Sequence, residues 1–320
     1  MSHTDLSRRA VLGLGLAAPL MPRFALAAEP QANTSVPAVA VTRTTQFGEY
    51  TITTVQDAAM RMSVEQSPFA AKTKPEELRK ILAANKLRTD QVGLDVNVLI
   101  MQKGKDVLLI DGGTGQKLMP ALAQLGIKPE MVGAIALTHA HGDHYNGLLK
   151  DGKSAFPNAT IFVPEAEYAF WTAAQPEMPK SMMDVNDRRG VIAGAQSCFN
   201  ILKPQIRTIA GDKEWGTGIA FMPMPGHTPG HAGVRISSGK ETMIHWADLC
   251  HHAAIIVQNP NIQVKFDTDP VASADMRRKM FDQFAKEGYR IMGSHMPFPG
   301  FGRILKSGKS FRWEIEPWVQ

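Results

Sequence analysis

The sequence predicts a layered α/β domain, and three observations lead there. Apolar, strand-like runs alternate with amphipathic helical stretches from Tyr50 to about Ala174. Tight turns join pairs of strand-like runs at three places, and no low-complexity linker divides the chain. About 290 residues follow Ala27, enough for one large core.

Met1 to about Ala27 stands apart. Ser7-Arg8-Arg9-Ala10-Val11-Leu12 resembles a twin-arginine export signal, followed by an apolar run to about Met21 and the small-residue pattern Ala25-Leu26-Ala27. The run is about 12 residues, short of the roughly 20 that span a bilayer as a helix. The expectation is a leader removed after export, with the protein periplasmic or secreted and no stable membrane span after processing; an uncleaved anchor is the alternative. Residues 28–41, rich in Pro, Ala and Thr, read as a loose arm, and residues 42–320 as a single domain. The leader carries Arg8, Arg9 and Arg23 against Asp5, so its loss takes two from the net charge of +5 and leaves +3. With no Lys/Arg block, zinc-finger spacing or basic aromatic platform, this mild charge predicts a solvated surface and no nucleic acid partner. Two cysteines, Cys198 and Cys250, are too few for a disulfide framework, and a single bridge between them stays open.

The elements follow in order. Tyr50–Val55 alternates like a strand, and Thr73, Pro75 and Glu76 open a helix with Leu78, Ile81 and Leu82 on one face. Val96–Met101 and Val107–Ile110 flank a turn at Lys103-Gly104-Lys105-Asp106. A helix from about Gln116 to Leu125 leads to the apolar strand Gly133–Leu137; Ala159–Val163 is the next strand and Glu165–Ala174 the next helix. Gly218–Met222 is a strand, and Ala232–Ile236 pairs with Glu241–Ile244 across a Ser-Ser-Gly-Lys turn. Asp269 caps, and Pro270 opens, a helix to about Glu287, with Met276, Met280 and Phe284 on one face. A short strand Tyr289–Met292 and a hairpin, Phe301–Leu305 with Phe311–Ile315, close the chain.

The chemistry sits after Gly133–Leu137, in Thr138-His139-Ala140-His141-Gly142-Asp143-His144. Three of the ten histidines fall in six positions with an aspartate between them, too dense for the ordinary surface histidine. On extended backbone His139 and His141 point the same way and can reach one cation. The chain can turn at Gly142, and a helix starting there aims Asp143 and His144 at a second point nearby. The segment predicts a site for two metals.

The spacing H-x-H-x-D-H resembles the signature of the metallo-β-lactamase-fold hydrolases at every ligand position. That resemblance implies three further ligands, and the sequence supplies a residue for each: His227 in Gly226-His227-Thr228-Pro229-Gly230-His231, Asp248 after the strand ending His245-Trp246-Ala247, and His295 in Gly293-Ser294-His295. It assigns His139, His141 and His227 to one metal, Asp143, His144 and His295 to the other, and Asp248 to both. His231 is then a neighbour that packs or hydrogen-bonds, and His245, His251 and His252 fall outside the set. Asp111, in Asp111-Gly112-Gly113, matches an Asp-x-Gly that supports the metal histidines from behind, with an ordinary strand-end turn as the alternative. The implied fold is the αββα sandwich, two mixed sheets flanked by helices. Phe156-Pro-Asn-Ala159, Phe170-Trp171, Phe298-Pro-Gly300 and the terminal hairpin extend the resemblance to the methyl parathion hydrolase-like branch. One departure is Tyr145-Asn146-Gly147, where the family more often has Gly-Gly.

Two divalent cations sharing a water lower its pKa enough to supply hydroxide at neutral pH and to stabilise charge developing on a carbonyl or phosphoryl oxygen. Nitrogen and oxygen ligation suits Zn²⁺, with Mn²⁺, Co²⁺ or Fe as alternatives. By resemblance Asp143 orients the hydroxide and accepts its proton, so Asp143 and Asp248 are the expected catalytic carboxylates. The expected activity is hydrolysis of lactones or aryl esters with some phosphotriesterase activity. A dedicated organophosphate triester hydrolase is the runner-up; a β-lactam or thioester hydrolase ranks lower, and a non-catalytic metal-binding protein lowest. Trp171 reads equally as an aromatic pocket wall or as core, and Leu118 and Arg188 stand in stretches where relatives place further aromatics. No Arg/Lys cluster adjoins the ligands, which points to a small neutral ester, lactone or phosphotriester rather than a dianionic phosphate. The resemblance leaves a homodimer open.

Overall fold

A computed structural model describes residues 39–317, so the expected leader at 1–27 and most of the expected arm lie outside the described residues. The last residue assigned to that arm, Val41, already belongs to the first strand. In chain order the elements are β1 (Val41–Phe47), β2 (Tyr50–Ser63), α1 (Pro75–Ala84), β3 (Gln91–Lys103), β4 (Asp106–Ile110), α2 (Leu118–Gln124), β5 (Val132–Ala136), α3 (Gly142–Tyr145), the short pair β6 (Leu149–Lys150) and β7 (Lys153–Ser154), β8 (Thr160–Pro164), α4 (Glu165–Thr172), α5 (Val185–Leu202) and β9 (Ile206–Ile209). Then come β10 (Glu214–Gly216), β11 (Ile219–Pro223), β12 (Ala232–Ser238), β13 (Glu241–His245), α6 (Ile255–Gln258), α7 (Pro270–Glu287), β14 (Arg290–Met292), β15 (Phe301–Ser307) and β16 (Ser310–Ile315).

Two seven-stranded sheets result, ordered β1-β2-β3-β4-β5-β8-β9 and β10-β11-β12-β13-β14-β15-β16. Both are mixed. The first is antiparallel from β1 to β4 and parallel from β4 to β9; the second is antiparallel except where β13 runs beside β14. Alternating side chains give each sheet two apolar faces to cover. One core lies between the sheets, where Ile52, Leu99, Leu108 and Phe162 of the first join Phe221, Val234, Ile236 and Met292 of the second. A second core packs α2, α4 and α5 on the first sheet through Leu118, Leu122, Trp171 and Phe199. A third packs α1, α6 and α7 on the second through Leu78, Ile256, Phe281 and Phe284. This is the αββα sandwich.

Local details correct the sequence reading in three places. Thr73 does not cap α1: the N-cap is Lys74, without a side-chain hydrogen bond, and Pro75 alone marks the start. Helix α5, 18 residues long with Asp184 accepting from the Asp187 amide, has no counterpart among the expected elements. Cys198 and Cys250 are free buried thiols in the cores on opposite outer faces, so they do not bridge, and burial pushes both up to about 12. The Asp269 cap of α7 is as read, its side chain accepting from the Ala272 amide at 3.1 Å. Among the described residues no helix is long and apolar enough to cross a membrane.

Candidate metal centre

Donor side chains reach one point because strands of both sheets end there. The loop leaving β5 carries His139 and His141, and α3 follows with Asp143 and His144. The second sheet contributes His227 after β11, Asp248 after β13 and His295 after β14. Donor atoms of His139, His141, His227 and Asp248 lie within 4.8 Å of one another, as do those of Asp143, His144 and His295. Asp248 stands between the groups: Oδ1 is 3.0 Å from His144 Nε2, while Oδ2 is 3.3 Å from His227 Nε2, 3.1 Å from His295 Nε2 and 3.8 Å from His139 Nε2. Asp143 Oδ2 is 3.4 Å from His295 Nε2. Asp143 has 29% of its side chain exposed and Asp248 only 3%, so solvent meets the cluster on the Asp143 side.

The far side of each ring is committed. His144 Nδ1 donates to Asp111 Oδ2 at 2.8 Å, His227 Nδ1 to Asp267 Oδ1 at 2.8 Å, and His295 Nδ1 to the Asp95 carbonyl at 2.8 Å. Thr138 gives its hydroxyl hydrogen to Asp111, so its oxygen is free to accept from His139 Nδ1 at 3.1 Å. With Nδ1 carrying the proton, each Nε2 presents a lone pair to the cluster. His227 Nε2 also lies 2.8 Å from His141 Nδ1. His139 Nε2, His141 Nε2, His144 Nε2 and Asp248 Oδ1 are buried without hydrogen-bond partners. Buried lone pairs converging on lone pairs and a carboxylate repel one another unless a cation sits among them, so the residues present fit a dinuclear metal site.

The electrostatics agree at His139, His141 and His227, while the carboxylates pull His144 and His295 the other way. Burial holds His139 and His227 well below the usual imidazole range and His141 at about 3, which keeps each ring neutral with one nitrogen free to donate a lone pair. Burial acts on His144 and His295 too, but Asp248 chiefly, with Asp111 and Asp143 at His144 and Asp143 at His295, overcomes it. His144 is raised well above its ordinary value and His295 to about 9. Asp248 is drawn well below the carboxylate range despite burial, first by His144, then His295, His251 and His139.

The expected supporting residues fall as follows. Asp111 accepts from the Thr138 amide and hydroxyl as well as from His144, and so ties the ligand loop to the end of β4. His231 donates Nδ1–H to the Met224 carbonyl and accepts the Asp248 amide at Nε2, 3.0 Å away, which holds the Asp248 backbone in place. His252 accepts two amides at the start of α6, and His245 is buried with both ring nitrogens unpartnered. His251, set outside the ligand group by the sequence reading, lies in the cluster: Nε2 is 3.1 Å from Asp248 Oδ2, and the ring stacks on His295 at 5.2 Å. Gly147, the glycine kept in the Tyr145-Asn146-Gly147 stretch, is required by space, since a Cβ there would lie 2.0 Å from the Gly112 carbonyl oxygen.

The expected pocket walls need correction. Leu118 is fully buried in the outer core, its amide held by Asp57 at the start of α2. Trp171 is also fully buried, its ring edge-on to His141 at 6.2 Å and its Nε1–H donating to Glu167, which makes it core rather than a substrate wall. Arg188 turns its guanidinium to the Met183 carbonyl. A cavity of about 460 Å³ borders His295 instead, lined by Leu82, Leu87, Ala253, Ala254 and Trp313 with Arg61 and Arg312 among its polar residues.

Asp267 and Glu167, buried carboxylates behind the ligand loops, are not among the residues the sequence singles out. Asp267, behind His227, shares its pocket with buried Arg277, whose Nη2 is 3.9 Å from Asp267 Oδ2. Its only signal was a place in the run Phe266-Asp267-Thr268-Asp269 before a helix. Glu167, fully buried on α4, had as its signal an i,i+4 spacing from Trp171 that puts the carboxylate on a buried face.

Comparison with known proteins completes the picture. The sequence profile described as Metallo-beta-lactamase superfamily matches residues 92–295. A Mycobacterium tuberculosis protein named a probable metallo-hydrolase is 27% identical over 198 residues, 50% of this chain; the match spans only 58% of that relative. The structure of AidC, a dizinc quorum-quenching lactonase in complex with its product N-hexanoyl-L-homoserine, superposes with TM-score 0.83 at 26% identity, covering 88% of this chain and 99% of that one. The hydrolase AbOPH of the beta lactamase superfamily superposes with TM-score 0.78 at 27% identity over the same shares. With the profile spanning well over half the sequence and the αββα sandwich built around converging histidines and aspartates, the chain belongs to the metallo-beta-lactamase superfamily.

Proposed function

We propose that the protein is a metal-dependent hydrolase of lactones or aryl esters in the methyl parathion hydrolase-like branch, with phosphotriesterase activity as a weaker companion. One observation carries this reading: two donor groups, His139/His141/His227 and Asp143/His144/His295, face a common Asp248 in a fold that matches a dizinc lactonase over 99% of that lactonase's length. In the proposal each group holds one cation, Zn²⁺ by its nitrogen and oxygen ligation, and Asp248 contributes to both. Two such cations, when bound, supply a nucleophile from water at neutral pH and stabilise negative charge on the substrate oxygen. Asp143, the most exposed donor, orients the attacking water and takes its proton as the water oxygen adds to the carbonyl carbon. His144 and His227 hold their rings through Asp111 and Asp267, so the donor lone pairs stay aimed without reorganisation. The cavity beside His295 takes the apolar portion of a neutral substrate.

Steady-state kinetics on zinc-loaded protein test this. The expected order of kcat/KM is an acyl homoserine lactone or aryl ester first, a neutral phosphotriester second and a phosphomonoester last. Ala253→Phe, which fills the cavity, should raise KM for a long-chain lactone about tenfold or more and leave a short-chain one nearly unchanged. A preference for the phosphotriester overturns the ranking. A preference for the phosphomonoester overturns the neutral-substrate reading.

The leader reading extends the proposal: the chain is exported through a twin-arginine route and cut near Ala27. Protein from the periplasm or medium should begin within a few residues of Ala28 on N-terminal sequencing. An intact Met1 on exported protein rejects cleavage.

A further inference from the structure

We propose that Glu167 is the positioning residue that sets the spacing between the two loops carrying His139, His141 and His227, and thereby the affinity of the metal pair. The inference rests on the metal-centre reading above and concerns a residue that touches no donor atom. Glu167 is fully buried in the first turn of α4 and receives four hydrogen bonds. Oε1 accepts from the amide of Ala140, between His139 and His141, at 2.9 Å, and from Trp171 Nε1 at 2.6 Å. Oε2 accepts from the Thr228 hydroxyl at 2.7 Å and from the Gly230 amide at 2.9 Å, both in the loop that begins with His227. One oxygen therefore holds the ligand loop of the first sheet, and the other holds the ligand loop of the second.

Both the charge and the length of the side chain matter. Three of the four partners are N–H groups, which can only donate, so each carboxylate oxygen must accept. An amide in place of the carboxylate puts an NH₂ group against either the Ala140 amide or the Gly230 amide, and one half of the clamp opens. Burial pushes the Glu167 carboxyl above its usual range, and the four hydrogen bonds to Thr228, Ala140, Trp171 and Gly230 pull it back part of the way. The loop is also pressed against α4: a Cβ on Gly230 would lie 1.9 Å from the Glu167 nitrogen. On the other side of the same loop, a Cβ on Gly226 would lie 2.5 Å from the Ser273 nitrogen in α7. His227 thus stands in a loop wedged between two helices, and Glu167 is the polar fastening on one of them.

Metal-depleted wild type, Glu167→Gln and Glu167→Asp, titrated with ZnCl₂ against a chromophoric chelator, give the test. Glu167→Gln should weaken zinc binding about 10- to 100-fold, the range for residues that orient metal ligands from behind. Glu167→Asp keeps the charge but cannot span both loops, so it should weaken binding by a similar factor. Melting of the metal-free variants separates the clamp from mere packing: equal zinc affinity in wild type and Glu167→Gln with a lowered melting temperature overturns the proposal. Should both Glu167 variants fail to fold, Thr228→Val, which removes one bond, replaces them; zinc affinity unchanged there also overturns it. Wild type that holds no pair of zinc ions defeats the metal-centre reading itself, a different failure from the one tested by the variants.

Discussion

Asp248→Ala should remove both metals' common partner and lower kcat/KM by about a thousandfold or more, with metal content falling from two per chain to one or less. The size follows from the geometry. Asp248 is the carboxylate within 4 Å of five histidines: His139, His144, His227, His251 and His295. Without its charge the rings face one another with nothing but lone pairs between them, and cation repulsion across the centre loses its screen. His227→Ala should lose one cation and reduce activity comparably, because the His227 ring links the cluster to Asp267. Elemental analysis alongside kinetics checks both, and active protein that contains no metal, or turnover that survives chelation, rejects the mechanism.

Gly230→Ala should be the most disruptive single methyl addition near the site. The added Cβ would meet the Glu167 nitrogen at 1.9 Å and its Cα at 2.3 Å, which are backbone atoms of a helix and cannot swing aside. Overpacking typically costs about 1–3 kcal/mol, and an overlap against backbone on this scale should reach or exceed the upper end. The loop can relieve the clash only by moving away from α4, carrying His227 with it, so zinc affinity should fall together with stability. Gly190→Ala is the contrasting case, because its Cβ meets open space within a helix and alanine favours helix by about 1 kcal/mol. Thermal melting and zinc titration of the two variants measure the difference. A Gly230→Ala protein as stable as wild type shows that the loop has slack the geometry denies.

The sequence-legible parts of the fold were those governed by local rules. The hairpins β3–β4, β12–β13 and β15–β16 announce themselves through turns between apolar runs, and α7 through an aspartate cap followed by proline. Helix α5 is hidden in the sequence because a Pro- and Met-rich stretch precedes it and glycines at 190 and 194 interrupt its pattern. At the site, the dense His139–His144 cluster is local, and His227, Asp248 and His295 came through a family resemblance. Glu167 and Asp267 act through loop partners 27 to 63 and 40 positions away, and His251 meets His295 from 44 positions away; only folding reveals such pairings. Leu118 shows the converse error, and Trp171 resolves to the core half of its two readings: an apolar side chain near a motif in sequence can point into the core rather than towards a substrate.

The donors also belong to different sheets. His139, His141, Asp143 and His144 hang from the first, whereas His227, Asp248 and His295 hang from the second. A cation held among them is therefore a cross-tie over the seam of the sandwich, and the folded chain alone can assemble it. Binding of that kind adds about 2.7 kcal/mol to folding stability when free metal stands at a hundred times the dissociation constant, and almost nothing when metal is scarce. For this architecture metal supply governs durability as well as turnover, so in a metal-poor medium the unloaded chains are the first that a protease can open and clear.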